Sequence, residues 1–368
     1  MNFVLSGGGT AGHINPAIAL GEELEARGHN VYFAGTPQGL ESKLIPECGF
    51  KFKAFEATGF DRTRPYTAVK ALRHLSASTA AARKWFKEIK PDAVVCFGAY
   101  VSLPIGRAAK AEKIPVIIHE QNSVMGMANK SMSKYANTIC LTYQEAKDQV
   151  RKSRRDNIEI TGNPVRKQIV EASREEGRRN LGVKDDETML LVFGGSLGAK
   201  HINYAVADMK AQLLNKKKLV VVHLTGKDEY ERVRDQLNLN NIEARRWKVI
   251  PYQDKMGETL AAADLILSRA GASSLAEISA LCKPALLIPY PYATANHQQI
   301  NAKSLQDIGA AEVLSDDDLD YQVFDDTLTQ LISHKARRDK MEKALRKADF
   351  ANSVSKLADI VEKSAKNG

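Results

Sequence analysis

The sequence predicts an α/β protein built from two doubly wound units with parallel sheets, and three observations carry that prediction. Short, branched, apolar runs alternate with amphipathic helical stretches almost from end to end, the pattern of parallel strands covered by helices on both faces. The alternation restarts after GNPVR at 162–166. Each half also opens on a glycine-rich turn between a buried strand and a helix, SGGGTAGH at 6–13 and FGGSLGA at 193–199. A chain of 368 residues exceeds the usual size of one core, and 43% apolar residues suffice for two.

Taken in order, strands are expected at 3–6, 31–34, 93–97, 116–119 and 138–141, with a long helical segment at 66–89. Pro164 stops the incoming element, which sets the division at 1–163 and 164–340, followed by a helical tail at 341–368. Beyond the division, 174–180 reads as a charged, solvated helix, and strands are expected at 189–193, 219–224, 247–251, 265–268 and 285–289. The chain from 334 onward is charged and helical, with no further strand, and reads as helices closing over the outside. In open sheets of this kind ligands bind beyond the carboxyl ends of the strands, here in the crevice facing the other half.

Composition narrows the function. Cys48, Cys96, Cys140 and Cys282 are far apart with no CxxC, which argues against zinc or a disulfide framework and for buried thiols in a reducing compartment. Residues 1–6 run straight into the first glycine turn without a charged leader, and the longest apolar run, 93–106, is cut by Gly98, Ser102 and Pro104. A cytosolic location is expected. The net charge of +9 calls for an acidic partner. No Arg-rich block, zinc finger or RNP-like strand supports nucleic acid, so a phosphorylated substrate or an anionic membrane surface is the better partner.

The glycine turns present backbone N–H groups and the positive end of a helix, a field suited to phosphate. GGGTAG at 7–12 formally satisfies the dinucleotide fingerprint, but the second strand ends VYFAGT, without the acidic residue that binds ribose, which argues against an NAD site and for glycines that let a phosphate or sugar approach the backbone. His13 opens the following helix and could take a proton from a hydroxyl nucleophile; the alternative is an exposed histidine with no chemical role. Ser196 could donate to a phosphate oxygen or simply cap its helix. Glu277 could accept both hydroxyls of a ribose or serve only as a dipole partner. The polar clusters HEQN at 119–122, with Asn122 offering donor and acceptor together, and NHQQIN at 296–301 suit a carbohydrate.

Seven collinear segments closely resemble the MurG family of glycosyltransferases: GGGTAGHINPA (7–17), FGAYVSLP (97–104), HEQNSVMGMANK (119–130), TGNPVR (161–166), GGSLGA (194–199), SRAGASSLAE (268–277) and HQQINA (297–302). The resemblance implies a GT-B fold, two Rossmann-like domains facing across a cleft with the C-terminal helices packing back. It further implies inverting transfer of GlcNAc from UDP-GlcNAc to the C4 hydroxyl of the muramyl sugar of lipid I, giving lipid II for peptidoglycan at the cytoplasmic face of the membrane. Carried over by motif, Thr10, Ala11, Gly12 and Asn122 would meet the donor's sugar and diphosphate from one side. Arg166, Ser196, Ala272, Glu277 and Gln298 would hold it from the other, with Glu277 on the ribose and the uracil read near Gln253.

Two residues depart from the family pattern, Ala11 and Leu197, where the family usually has Gly and Gln. In this reading His13 is the general base, and Ser196, Arg166 and the helix N-termini stabilise the departing UDP without metal or cofactor. Asp316, Asp317 and Asp318 resemble a DxD metal motif but precede no matching strand and read as a solvated loop. The lipid acceptor implies an anionic membrane surface, for which the segment 66–89 offers Leu72, Leu75, Trp85 and Phe86 among Lys70, Arg73, Arg83, Lys84 and Lys87. Rival readings are another GT-B glycosyltransferase, a UDP-sugar epimerase, or a nucleotide-sugar-binding protein without turnover.

Overall fold

A computed structural model of the chain describes residues 1–59, 67–195, 198–348 and 350–367. The chain forms two compact units, residues 1–166 with 352–368 and residues 167–351. The division read at 163/164 lies close to the first crossing, whereas the tail read as one piece at 341–368 is shared between the units.

The first unit runs β1 (Asn2–Ser6), α1 (Ala11–Ala26), β2 (Asn30–Gly35), α2 (Glu41–Glu47), β3 (Lys51–Ala54), α3 (Thr67–Ile89) and β4 (Ala93–Cys96). It continues with α4 (Ala99–Ala111), β5 (Val116–Glu120), α5 (Met127–Met132), β6 (Thr138–Leu141) and β7 (Ile158–Ile160). All pairings are parallel, in the order β3-β2-β1-β4-β5-β6-β7, with Leu5 of β1 opposite Phe33 of β2 and Val95 of β4.

The second unit begins with α6 (Lys167–Val170), α7 (Arg174–Asn180), β8 (Thr188–Phe193), α8 (Lys200–Asp208), α9 (Lys210–Leu214), β9 (Leu219–Leu224) and α10 (Tyr230–Leu237). Then follow β10 (Trp247–Ile250), α11 (Met256–Ala262), β11 (Leu265–Ser268), α12 (Ala272–Ala280) and β12 (Ala285–Leu287). It closes with α13 (His297–Asp307), β13 (Ala311–Val313), α14 (Gln322–Ser333) and α15 (Lys335–Ala348). Its parallel sheet has the order β10-β9-β8-β11-β12-β13. The last helix, α16 (Ser353–Lys366), belongs to the first unit.

The central strands are apolar throughout because helices cover both faces; every residue of β4 and β9 is buried. Sequence patterning misses β3, β7 and β13, and all three lie at sheet edges. KFKA, IEI and AEV are short and charged, which blunts an edge against stray pairing and also erases the apolar run that announces a strand. The α16 residues Leu357, Ala358 and Val361 are buried in the same core as Ile14, Leu20 and Phe33. Arg27, which caps the C-terminus of α1, fastens this helix by donating to Asp359 Oδ1 at 2.6 Å and Ser355 Oγ at 2.8 Å.

Two sequence readings are corrected by packing. On α3, Trp85 and Phe86 are core residues, 8% and 2% exposed, clustered with Phe55; the apolar side chains that reach solvent are Val69 and Leu72 at its other end, 74% and 62% exposed. The 23-residue helix is long enough for one end to cover the sheet while the other extends past it. Helix α7 is not solvated all round, because Arg178 is buried and donates to Asp264 and to the Ala262 carbonyl at the end of α11. Among the described residues no helix is long and apolar enough to cross a membrane.

Candidate active site

Each sheet reverses its winding at one point, between β1 and β4 in the first unit and between β8 and β11 in the second. The loops beyond those strand ends diverge and leave room for a ligand. Both glycine turns lie there.

In the first unit, Gly98 follows β4 with φ +105°, and a Cβ on it would stand 3.0 and 3.1 Å from Cδ2 and Nε2 of His13. Only a bare Cα admits the imidazole at this distance. The ring is half-buried, with Nδ1 3.2 Å from Thr10 Oγ1. Burial lowers its pKa below the usual 6.5, overcoming a hydrogen bond to the Gly8 backbone and the charge of Glu41, which both raise it. The ring is therefore neutral at pH 7, as a proton acceptor must be.

The sequence reading does not single out Glu41, which lies in the first turn of α2. It is fully buried. Its Oε2 accepts from Gly9 N at 3.0 Å, and its Oε1 accepts from Thr36 N at 2.9 Å and Thr36 Oγ1 at 2.6 Å. A Cβ on Gly8 would lie 2.3 Å from this carboxylate, so the turn is moulded over it. Burial raises the Glu41 pKa, but the bonds from Thr36 and Gly9 outweigh it and keep the group ionised. One N–H expected to face phosphate thus serves an internal anion.

The HEQN cluster is largely internal as well. His119 is fully buried, with Nε2 2.9 Å from the Gly162 carbonyl and Nδ1 3.2 Å from Gln121 Nε2. Burial pushes its pKa down to about 4, so the neutral ring donates from Nε2 to Gly162. Glu120 accepts from Asn122 N at 3.1 Å, Gly126 N at 2.9 Å and Asn129 Nδ2 at 3.0 Å, while burial raises its pKa. Of the four residues only Asn122 is half-exposed, held by Glu120 at the strand end. Arg166 points its fork at α1, donating Nε and Nη2 to Glu22 Oε1 at 3.1 and 2.9 Å.

In the second unit, Ser196 and Leu197 lie outside the described residues. Of the flanking residues, Gly198 N donates to Gly195 O at 3.0 Å, and α8 starts at Lys200. Helix α12 begins at Ala272 behind Gly271, with Glu277 half-buried further along it. Gln298 on α13 accepts from Ala270 N at 3.2 Å and Tyr290 N at 3.0 Å, binding the loop after β11 to the loop after β12. Gln253 lines a pocket of about 320 Å³ with Asn180, Lys255 and Glu258.

The acidic run at 316–318 is not the solvated loop read from the sequence. Asp316 accepts from Arg269 Nη1 with Oδ1 and pairs with His201 Nδ1 at 2.9 Å through Oδ2. Asp318 accepts from Ser315 N and Oγ, both at 2.7 Å. Among the described residues no group of His, Cys, Asp or Glu is arranged to hold a metal ion.

Family models match the chain on both sides, the glycosyltransferase family 28 N-terminal domain over residues 3–141 and the C-terminal domain over 189–359. A protein of Halothermothrix orenii is 40% identical over the whole of both chains, and one of Bacillus subtilis is 36% identical over 98% of this chain and 99% of its own. Both are named UDP-N-acetylglucosamine--N-acetylmuramyl-(pentapeptide) pyrophosphoryl-undecaprenol N-acetylglucosamine transferase. This chain belongs to the MurG family.

The crystal structure of Acinetobacter baumannii MurG agrees, with a TM-score of 0.77 and 27% identity over 98% of this chain and 99% of that one. The fold is accordingly GT-B. A UDP-GlcNAc 2-epimerase from Neisseria meningitidis shares that architecture at a TM-score of 0.68 and 15% identity over the full length of both chains, a likeness of fold alone. Within the MurG family, the motif residues fall in two sets. Thr10, Ala11, Gly12, His13 and Asn122 lie beyond strand ends of the first unit, whereas Ala272 and Glu277 lie on α12 and Gln298 on α13 of the second; Arg166, read from the sequence as holding the donor from the second unit's side, belongs to the first.

Proposed function

We propose that this chain transfers GlcNAc from UDP-GlcNAc to the C4 hydroxyl of the muramyl sugar of lipid I, with inversion, to give lipid II for peptidoglycan. Full-length relatives bearing that activity in their names support the reading. The observation that carries its chemistry is His13, neutral and pressed against the bare Cα of Gly98 at the winding reversal of the first sheet. The acceptor O4–H gives its proton to His13 as O4 bonds to C1 of the donor sugar. The bond from C1 to the β-phosphate oxygen breaks with its electron pair, and UDP departs. Charge growing on the diphosphate meets the N-termini of α8 and α12 and the Ser196 hydroxyl.

In this reading Thr10, Ala11, Gly12 and Asn122 contact the donor from the first unit, and Glu277 takes the ribose hydroxyls. Ala272 and Gln298 hold the diphosphate and sugar, Gln253 lies beside the uracil, and Arg166 reaches the nucleotide by exchanging Glu22 for it. No metal or cofactor takes part. The acceptor is a polyprenyl lipid, so the protein works peripherally at an anionic, cytoplasmic membrane face. Exposed Val69 and Leu72 beside exposed Lys70 and Arg73 support that attachment.

Incubation with radiolabelled UDP-GlcNAc and a lipid I analogue should yield labelled lipid II. His13→Ala should lower turnover by about two to four orders of magnitude while UDP-GlcNAc affinity stays unchanged. Turnover near that of the wild type would remove His13 from the chemistry, and failure of the purified protein to take up UDP would end the reading altogether.

A further inference from the structure

The acidic loop after β13 touches the turns that carry the proposed donor residues. Arg269, the first residue after β11, is nearly buried and donates Nη1 to the Ile288 and Pro289 carbonyls beyond β12, each at 3.3 Å, and to Asp316 Oδ1. The other oxygen of Asp316 pairs with His201 Nδ1 at 2.9 Å, and His201 lies in the first turn of α8, directly beyond the glycine-rich turn. The remaining ring nitrogen, Nε2, lies 2.9 Å from Asp320 Oδ1. A single carboxylate therefore ties together the loops that follow β8, β11 and β12, although its own strand, β13, is at the sheet edge.

With a carboxylate at each ring nitrogen, His201 satisfies both bonds only when it carries two protons. A charge there opposes the helix dipole, so the two aspartates are what make it tenable. Burial lowers the pKa of His201, but Asp316 and Asp320 outweigh burial and raise it above 6.5. The other charged groups packed against α8 face elsewhere. On the α10 side Glu229 accepts from Tyr204 and pairs with Arg232, and Lys200 lies over the Tyr204 ring. Asp317 and Asp318 complete the acidic loop, Asp318 being engaged with Ser315.

We infer that Asp316 is a positioning residue, locking the two donor turns of the second unit together through Arg269 and His201, and that the lock loosens when His201 loses its proton. The inference rests on the reading of these turns as the UDP-GlcNAc site. It makes donor recognition, not the chemical step, sensitive to the loss of that proton as pH rises, because the shape of the turns changes while His13 is untouched.

The test is the pH profile of the donor KM and of kcat, with UDP affinity measured by calorimetry at the same pH values. In the wild type the donor KM should climb as pH rises through the His201 pKa. Asp316→Asn should raise the donor KM about tenfold near neutral pH with kcat nearly unchanged, as loss of a hydrogen bond to a charged group implies. His201→Gln, which retains a donor but cannot titrate, should flatten the rise even if the Asp316 variant folds poorly. Asp316→Glu should restore much of the affinity. An unaltered pH profile in His201→Gln, or a fall in kcat without change in KM in Asp316→Asn, would overturn the lock alone. Absence of UDP uptake by the wild type at every pH would overturn the donor reading, and the lock with it.

Discussion

Replacing Glu41 by Gln tests whether the first glycine turn is held from beneath by a buried anion. The carboxylate accepts three bonds, from Gly9 N, Thr36 N and Thr36 Oγ1. A glutamine can keep its oxygen on Thr36, but its NH2 then faces the Gly9 N–H, donor against donor, with no room to turn away because Gly8, Gly35 and Gly39 close in around it. One charge-assisted bond is lost and one buried donor is stranded, so the variant should be about 2–3 kcal/mol less stable at pH 7. Each unit contains one tryptophan, Trp85 and Trp247, so urea unfolding followed by fluorescence in a Trp247→Phe background reports on the first unit alone.

Acid supplies a second readout. The folded-state pKa of Glu41 lies below its ordinary 4.5, so its contribution is complete above that value and fades as pH falls through the folded pKa. The gap between wild type and Glu41→Gln should therefore narrow on acidification below about pH 4. Removing the charge also lowers the proton affinity of His13, since Glu41 raises it, and the acid limb of the kcat profile should move to lower pH. Stability within about 0.5 kcal/mol of wild type, together with an unmoved acid limb, would refute the argument.

Glu277→Ala should raise the donor KM about tenfold, the loss expected when a carboxylate gives up hydroxyl partners, with a smaller change in kcat. An unchanged KM removes Glu277 from the ribose. On α3, Lys70→Glu with Arg73→Glu should weaken sedimentation with anionic vesicles by about 1 kcal/mol or more per residue. Neutral vesicles should show little difference. Trp85→Ser, by contrast, should destabilise the first unit, because this side chain is packed against Phe55 and Phe86.

The two-unit plan is legible because it is written in local signals. Branched apolar runs, amphipathic spacing and glycine turns occupy a few adjacent residues each, and the central strands follow them closely, as 138–141, 219–224 and 265–268 do to the residue. The edge strands β3, β7 and β13 escape because an edge is half-solvated and its residues need not be apolar. The glycine turns and His13 are likewise visible in the sequence, since both lie directly at a strand-to-helix junction. HEQN misleads in part. Four polar residues at a strand end look like ligand chemistry, whereas in the interior His119 and Gln121 bond each other and the backbone, and Glu120 accepts from Gly126 N and Asn129 Nδ2.

Sequence alone determined the architecture, the family and the two glycine-rich turns, because each rests on residues adjacent in the chain. Tertiary structure alone decided what stands behind those turns. Glu41 reaches Gly9 across 32 positions, His119 reaches Gly162 across 43, and Asp316 reaches Arg269 across 47 and His201 across 115. A buried charge is tolerated only where folding brings donors to it, and no local pattern encodes partners that distant.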